Sequence, residues 1–205
     1  MGRRKERTPE LRERVLRAAV ALLEEGGAAR FTARSVAAGA GTSTPAIYEL
    51  FGDKAGLIQA VIVEGFRLLH QDLEALPVSA DPRDDLETAL GALRRFVTGH
   101  PALAQVMFSR PLADIDPPPE SGPAGRAILQ LVRARVRRCV AAGVIAGDQT
   151  DVAHGLIALA QGLAGAEANG GMGSSRASAD RRWSITVRAV LNGLAPDRPP
   201  RLAAR

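Results

Sequence analysis

Aromatic side chains make up only 3% of this 205-residue chain, with a single tryptophan and a single tyrosine. Alanine, leucine and valine must therefore fill most of any core. That favours closely packed helices, because strands prefer β-branched and aromatic residues. Alternating apolar–polar runs of the strand type do not stand out either, and the expected fold class is all-α. Cysteine is nearly absent: Cys139 stands alone, which excludes an internal disulfide and any multi-cysteine metal site. On the apolar side of an expected helix it reads as an inert core thiol. No stretch reaches the roughly 18 apolar residues of a membrane span. The basic amino terminus has no hydrophobic segment of the signal-peptide kind, so the expectation is a cytoplasmic protein without a membrane partner.

The residues of enzyme chemistry are scarce too. Gly-x-Ser-x-Gly, a phosphate loop and His-rich metal spacing are all missing. His70, His100 and His154 are widely separated, and Asp114 and Asp116 sit among prolines, where they read as loop solvation. No catalytic residue, metal or cofactor is expected. Lysine occurs only at positions 5 and 54 among 27 basic side chains.

What is present is cationic charge, unevenly placed. Residues 1–17 carry seven basic against three acidic side chains, residues 61–132 six against ten, and residues 133–205 eleven against five. A basic amino terminus suits a polyanionic partner, or a solvated tail where its first residues are concerned. Apolar spacing then predicts about nine helices. Leu11, Val15, Leu16, Ala19, Leu22 and Leu23 form the first stripe, which Gly26-Gly27 stops. Thr32 is placed to cap a short helix through Ala40, Ser43 or Thr44 the next to about Phe51, and Asp53 a longer one. Pro77 to Pro82 breaks the chain. Helices are then expected from about Arg83 to Gly99, from Pro101 to Ser109, and near Ala124–Ala142, Thr150–Ala168 and Ser178–Leu194. Arg110 to Pro123, with five prolines, reads as a loop, and Asn169 to Ser175 as a glycine-rich connector. The domain division expected is residues 1–54, residues 55–195 and a disordered tail over residues 196–205.

Phe31 to Lys54 carries the strongest pattern. Two short helices joined at Gly41 make a helix-turn-helix, a device for laying one helix in the major groove of DNA. Ala37 supplies the small face where the helices cross, and Gly41 the turn. Val36, Ala40, Ile47 and Leu50 fall where the helices must pack. Thr42, Ser43, Thr44, Pro45, Ala46 and Tyr48 are left for the groove. Small side chains permit close approach, hydroxyls meet phosphates or base edges, and methyl groups meet thymine methyls. Lys54, at the amino end of a helix, is mildly unfavourable for the dipole, a preference that a nearby phosphate would reverse.

RAAVALLEEGG, FTARSVAAGAG, TSTPAIYELF and the following Asp-Lys together resemble the TetR-type repressors over roughly residues 12–60. The resemblance implies phosphate contacts from Tyr48, Lys54, Thr32, Arg34 and Ser35, and base-edge positions at Thr44, Pro45 and Ala46. Glu49 departs from the basic or aromatic residue the family often has there. It either accepts from cytosine, turns toward Arg34 or points away from DNA. The arm of Arg3, Arg4, Lys5 and Arg7 is a further candidate for the backbone or the minor groove.

For the remaining two thirds the resemblance implies ligand binding and dimerisation. Phe96, His100, Leu103, Met107 and Phe108 read either as a pocket for a largely apolar effector or as core, with His100 also fitting a helix end. Leu131, Arg135, Gln161 and His154 are further candidate contacts. Arg135 either pairs with an acidic effector or extends to solvent. Leu156, Leu159, Leu163, Trp183, Val187, Val190 and Leu191 are candidates for a homodimer interface in the form of a four-helix bundle. The function expected is a homodimeric repressor on a palindromic double-stranded operator, released by a small-molecule effector. A sequence-tolerant DNA-packaging protein and a helical small-molecule carrier are the alternatives.

Overall fold

In a computed structural model, the structure describes residues 9–108 and 122–196, with the backbone alone at Ala28. The arm of Arg3, Arg4, Lys5 and Arg7, Asp114 and Asp116 with most of the proline-rich segment, and residues 197–205 lie outside the described residues. Nine α-helices and no strand occur among the described residues: α1 (Pro9–Arg30), α2 (Ala33–Gly39), α3 (Thr44–Phe51), α4 (Lys54–Glu74), α5 (Pro82–Gly99), α6 (Pro101–Phe108), α7 (Pro123–Ala141), α8 (Gln149–Ala168) and α9 (Arg176–Gly193). None of them is long and apolar enough to cross a membrane.

Helix ends are set locally. Pro9 opens α1, where a missing N–H costs nothing. Thr32 caps α2 through the Ser35 N–H, Ser43 caps α3 through Ala46, Asp148 caps α8 and Ser175 caps α9. The Asp53 carboxylate accepts from the Gly56 N–H at 2.7 Å at the start of α4. Gly27 breaks α1 with φ 62° and ψ −167°, a kink at which two helical stretches join, so regular helix stops where the Gly-Gly pair was expected to stop it.

The chain divides into two compact units. Among the described residues, the first holds residues 9–70, 99–108 and 122–125, and the second 71–98 and 126–196. The core of the first is built from Leu11, Val15, Leu16, Ala19 and Leu23 of α1, Val36 and Ala37 of α2, Ile47 of α3 and Leu57, Val61 and Leu69 of α4. There α6 packs against α4 without spacing: a Cβ on Gly65 would lie 2.4 Å from Met107 Sδ and 3.2 Å from Leu103 Cδ1. Phe66 meets Phe108 edge-on at 5.7 Å, and the Glu24 carboxylate of α1 accepts from the Leu103 N–H at 3.1 Å.

In the second unit each helix buries one stripe. These are Leu86, Leu90 and Leu93 of α5; Ile128, Val132, Val136 and Cys139 of α7; Ala153, Leu156, Ala160 and Ala164 of α8; and Ala179, Trp183, Val187 and Leu191 of α9. Charged pairs tie the stripes together. Arg94 donates to Glu167 at 2.6 and 2.8 Å and to Asp180 at 2.7 Å, with its guanidinium over the Trp183 ring at 5.2 Å.

Candidate nucleic-acid interface and effector region

The helix-turn-helix is fixed from both sides. Ala40 ends α2, and Gly41 turns with φ 63°, a conformation that costs a side-chain-bearing residue about 1–2 kcal/mol. The Thr42 N–H then bonds back to the Ala37 carbonyl at 2.9 Å. Val36, Ala37, Ala40 and Ile47 are buried as the crossing of two short helices demands, while Leu50 is half-buried.

Arginines of α1 hold this frame. Arg14 Nε donates to the Ala40 carbonyl at 3.1 Å, a cation at the carbonyl end of α2. The Arg12 guanidinium lies over the Phe51 ring at 5.4 Å, at the last residue of α3. Two of the basic side chains that the sequence assigns to a polyanion are thus engaged in positioning. Nothing local in the sequence signals either interaction, because both partners lie in other helices.

With Ile47 anchored, α3 turns its other face outward. Ser43, Pro45, Tyr48 and Glu49 are exposed and Thr44 and Ala46 half-buried; Tyr48 is 44% exposed despite being the chain's one tyrosine. An exposed phenol on a largely apolar helix has its hydroxyl available to a phosphate. Thr32 Oγ1 lies 2.8 Å from Ser35 Oγ, which pairs these two hydroxyls beside the exposed Arg34. Lys54 is exposed as well. Asp53 already occupies the Gly56 amide, so what α4 offers an anion there is the ammonium of Lys54 more than its amide end.

The candidate effector residues divide between the units. Leu103, Met107 and Phe108 belong to the first and Phe96, Leu131, Arg135 and Gln161 to the second, with His100 in the first. Phe96, Leu103 and Met107 are buried in the single chain, and Phe108 is half-buried. His100 Nδ1 stands 3.8 Å from Glu24, at the entry to α6. Leu131 and Gln161 are half-buried, and His154 is exposed with Nδ1 at 2.9 Å from the Thr150 carbonyl.

Arg135 does not extend to solvent, the course open to an arginine at the edge of an apolar stripe. It is 7% exposed, and with Asp85 it is one of two buried charged residues among those described. Its reach is taken up inward, toward the carbonyls of Leu131 at 3.2 Å and Leu73 at 3.1 Å. Burial holds its pKa below the ordinary arginine value. Burial alone would push the Asp85 carboxyl up, but hydrogen bonds from Arg138 and the Ser79 N–H, with the Arg138 charge, outweigh it and hold the carboxyl below the usual carboxylate value. Burial raises the Cys139 thiol, whose Sγ lies 3.0 Å from the Pro82 carbonyl, so little thiolate forms. No group of three or more metal-ligating side chains gathers among the described residues.

Of the candidate interface residues, Leu156, Trp183, Val187 and Leu191 are buried within the single chain, where they fill its own core. Leu159, Leu163 and Val190 are half-buried, and Ile185, which apolar spacing did not single out, is 62% exposed.

Residues 15–61 match the family described as "Bacterial regulatory proteins, tetR family", and residues 86–190 match "Tetracyclin repressor-like, C-terminal domain". Among solved structures, a protein of unknown function from Rhodococcus sp. RHA1 is 26% identical with a TM-score of 0.76, over 95% of this chain and 100% of that one. A TetR-family protein from Vibrio parahaemolyticus is 18% identical with a TM-score of 0.68, over 91% and 99%. A TetR variant from Acinetobacter baumannii AYE, in complex with minocycline, is 19% identical with a TM-score of 0.63, over 87% and 93%. No curated protein matches the chain. A helix-turn-helix framed by α1, followed by a matched regulatory carboxy-terminal region, places this chain in the TetR family of DNA-binding transcriptional regulators.

Proposed function

We propose that the protein is a homodimeric repressor that binds a palindromic operator and leaves it when a small molecule occupies the carboxy-terminal region. The observation that carries this is the two-faced α3, locked by buried Ile47 and presenting Pro45 and Tyr48 outward. Ser43, Thr44, Pro45 and Ala46 enter the major groove; Tyr48, Lys54, Thr32, Arg34 and Ser35 take phosphates. One chain reads one half-site. A two-fold dimer sets two α3 helices about 34–36 Å apart, one turn of DNA.

The outward faces of α8 and α9 support such a dimer. Leu159, Leu163, Val190 and Ile185 leave apolar surface, and exposed Gly155, Ala158 and Gly162 let a second helix approach closely. Pairing across the axis makes a four-helix bundle whose centre is these side chains, while Leu156, Trp183, Val187 and Leu191 stiffen each half from within. The minocycline-bound neighbour supports a fold able to receive a small organic ligand. Regulation needs the effector to bind two conformations unequally. Coupling runs through α4, which contributes residues to both units.

A footprint on the DNA flanking the protein's own gene tests this reading. A palindromic protected site, bound far more tightly than random duplex across a salt titration, is expected. Equal affinity for both duplexes would instead identify a sequence-tolerant packaging protein, and no DNA affinity a carrier.

A further inference from the structure

The most unusual charge in the second unit is the guanidinium of Arg135. Nη1 donates to the Leu131 carbonyl one turn back in α7, and Nη2 to the Leu73 carbonyl in the last turn of α4. Nε reaches neither a hydrogen-bond partner nor solvent. The charges that bear on Arg135 are those of Asp85 and Arg138. Asp85 is already engaged by Arg138 and by the Ser79 N–H at 2.9 Å. Two cations therefore stand against one carboxylate, and that carboxylate's hydrogen bonds go elsewhere. A guanidinium so buried, held by two carbonyl oxygens and with its Nε–H unpartnered, carries a desolvation cost that an additional anion would offset.

The open atom also has a direction. Nε and Nη2 form the edge of the guanidinium that meets both oxygens of a carboxylate in parallel. Nε on this edge is vacant, and one of the two N–H groups of Nη2 is engaged with Leu73. A carboxylate taking the edge completes Nε and brings a second, charged acceptor to Nη2 beside the Leu73 carbonyl, which draws the guanidinium away from that carbonyl. That carbonyl has little else to hold it, since the Leu76 N–H lies 3.4 Å away. The neighbouring α7 positions are apolar: Ile128, Val132 and Val136 are buried and Leu131 half-buried. A head group that reaches this edge therefore does so beside apolar neighbours, which an effector with an apolar body tolerates.

We propose that Arg135 anchors an effector made of a carboxylate on an apolar body, held side-on by Nε and Nη2, and that its arrival loosens the tie between α7 and the last turn of α4. This rests on the reading of the protein as an effector-released regulator and names the chemistry of the effector. Arg135 alone acts as the anchor; Leu73 is the carbonyl whose bond to Nη2 is weakened.

The test uses the full chain with octanoate, decanoate, dodecanoate and phenylacetate, each against its methyl ester. Calorimetry gives the affinities, and two-dimensional NMR follows the arginine Nε–H signals, with that of Arg135 assigned by its loss in Arg135→Lys. At least one acid is expected to bind, to move the Arg135 Nε–H signal, and to exceed its ester by roughly 30-fold, the low end for breaking a buried charge pair. Arg135→Lys, which keeps the charge but not the fork, and Arg135→Gln should lose a similar factor for the acid while the ester is unchanged. If Arg135→Gln fails to fold, the lysine variant and the NMR signal decide. Esters that bind as well as their acids, an Nε–H signal that no acid moves, or an Arg135→Lys variant with wild-type affinity for the acid would each overturn the proposal. Operator binding by the ligand-free protein is measured separately. Its absence removes the repressor reading, whereas acid–ester equality removes the anchor alone.

Discussion

The two units solve the problem of charge in opposite ways. In the first, Arg34 and Lys54 lie at the surface, and the helix ends around them are set by short-range devices. Thr32 caps within three residues, Asp53 within three, and Arg34 and Lys54 stay exposed. In the second, charge is drawn inward: Asp85 and Arg135 are buried, and Arg94 is gripped by two carboxylates and an indole. A surface that must meet a polyanion keeps its cations solvated until DNA arrives, because counterion release then drives binding. The second unit uses buried polar groups instead. Their geometry is exacting, and removing one partner is far costlier than never having had either.

The largest expected effect comes from breaking the first unit at its pivot. Ile47→Ala should lower stability by about 2–5 kcal/mol through the cavity it leaves, and DNA binding should fall with it. Chemical denaturation followed by a binding assay checks this, and an unchanged midpoint would mean α3 is not held from beneath. Tyr48→Ala removes only an outward-facing side chain, so it should leave stability within about 0.5 kcal/mol of the wild type. Operator affinity should nonetheless fall by about 1–3 kcal/mol. Wild-type affinity in a gel-shift titration would contradict the assignment of this face to DNA.

The second unit should respond to acid through Asp85. Asp85 has its carboxyl held below the usual value in the folded protein, so the stabilisation it provides is fully present above the ordinary carboxylate pKa of about 3.9. It is lost as pH falls through the lower folded value. Asp85→Asn should therefore melt below the wild type at pH 7, and the two curves should converge as the medium is acidified. A gap of constant size across that range would show that the Arg138 pairing is not its source. Smaller still is the effect of Lys54→Gln. Without the ammonium, one phosphate goes unneutralised, which should reduce the salt slope of binding by about one and weaken all sequences alike. Smallest of all, modification of Cys139 by a thiol reagent should be negligible until the protein unfolds. Rapid labelling of the native chain would show that the second unit opens around α7.

The same contrast explains what could be read without coordinates. The caps at Thr32 and Ser43, the turn at Gly41 and the buried face of Val36, Ala37, Ala40 and Ile47 all follow from neighbours within a few residues. Local chemistry determines them, and local chemistry is written in order along the chain. Arg14 at the end of α2 was not legible, since its partner lies 26 residues away. Still less so were Arg138 with Asp85 at a separation of 53, Arg135 with Leu73 at 62 and Arg94 with Glu167 at 73. Arginine at the edge of an apolar stripe ordinarily extends to water. Only packing decides that Arg135 turns inward. The apolar residues of α8 and α9 posed a similar difficulty. Periodicity marks them as apolar but does not say which stripe faces the chain's own core, and Leu156, Trp183, Val187 and Leu191 prove to be that stripe.

By itself, then, the sequence determined the helical class, the order of the helices and the reading head, because caps, turns and 3.6-residue stripes are interactions between near neighbours. The tertiary structure alone decided the inward course of Arg135, the engagement of Arg12 and Arg14 in framing the head, and the division of α8 and α9 into inner and outer faces. Each of those depends on which distant segment comes to rest beside a side chain. A chain specifies that only through the free energy of the whole packed fold.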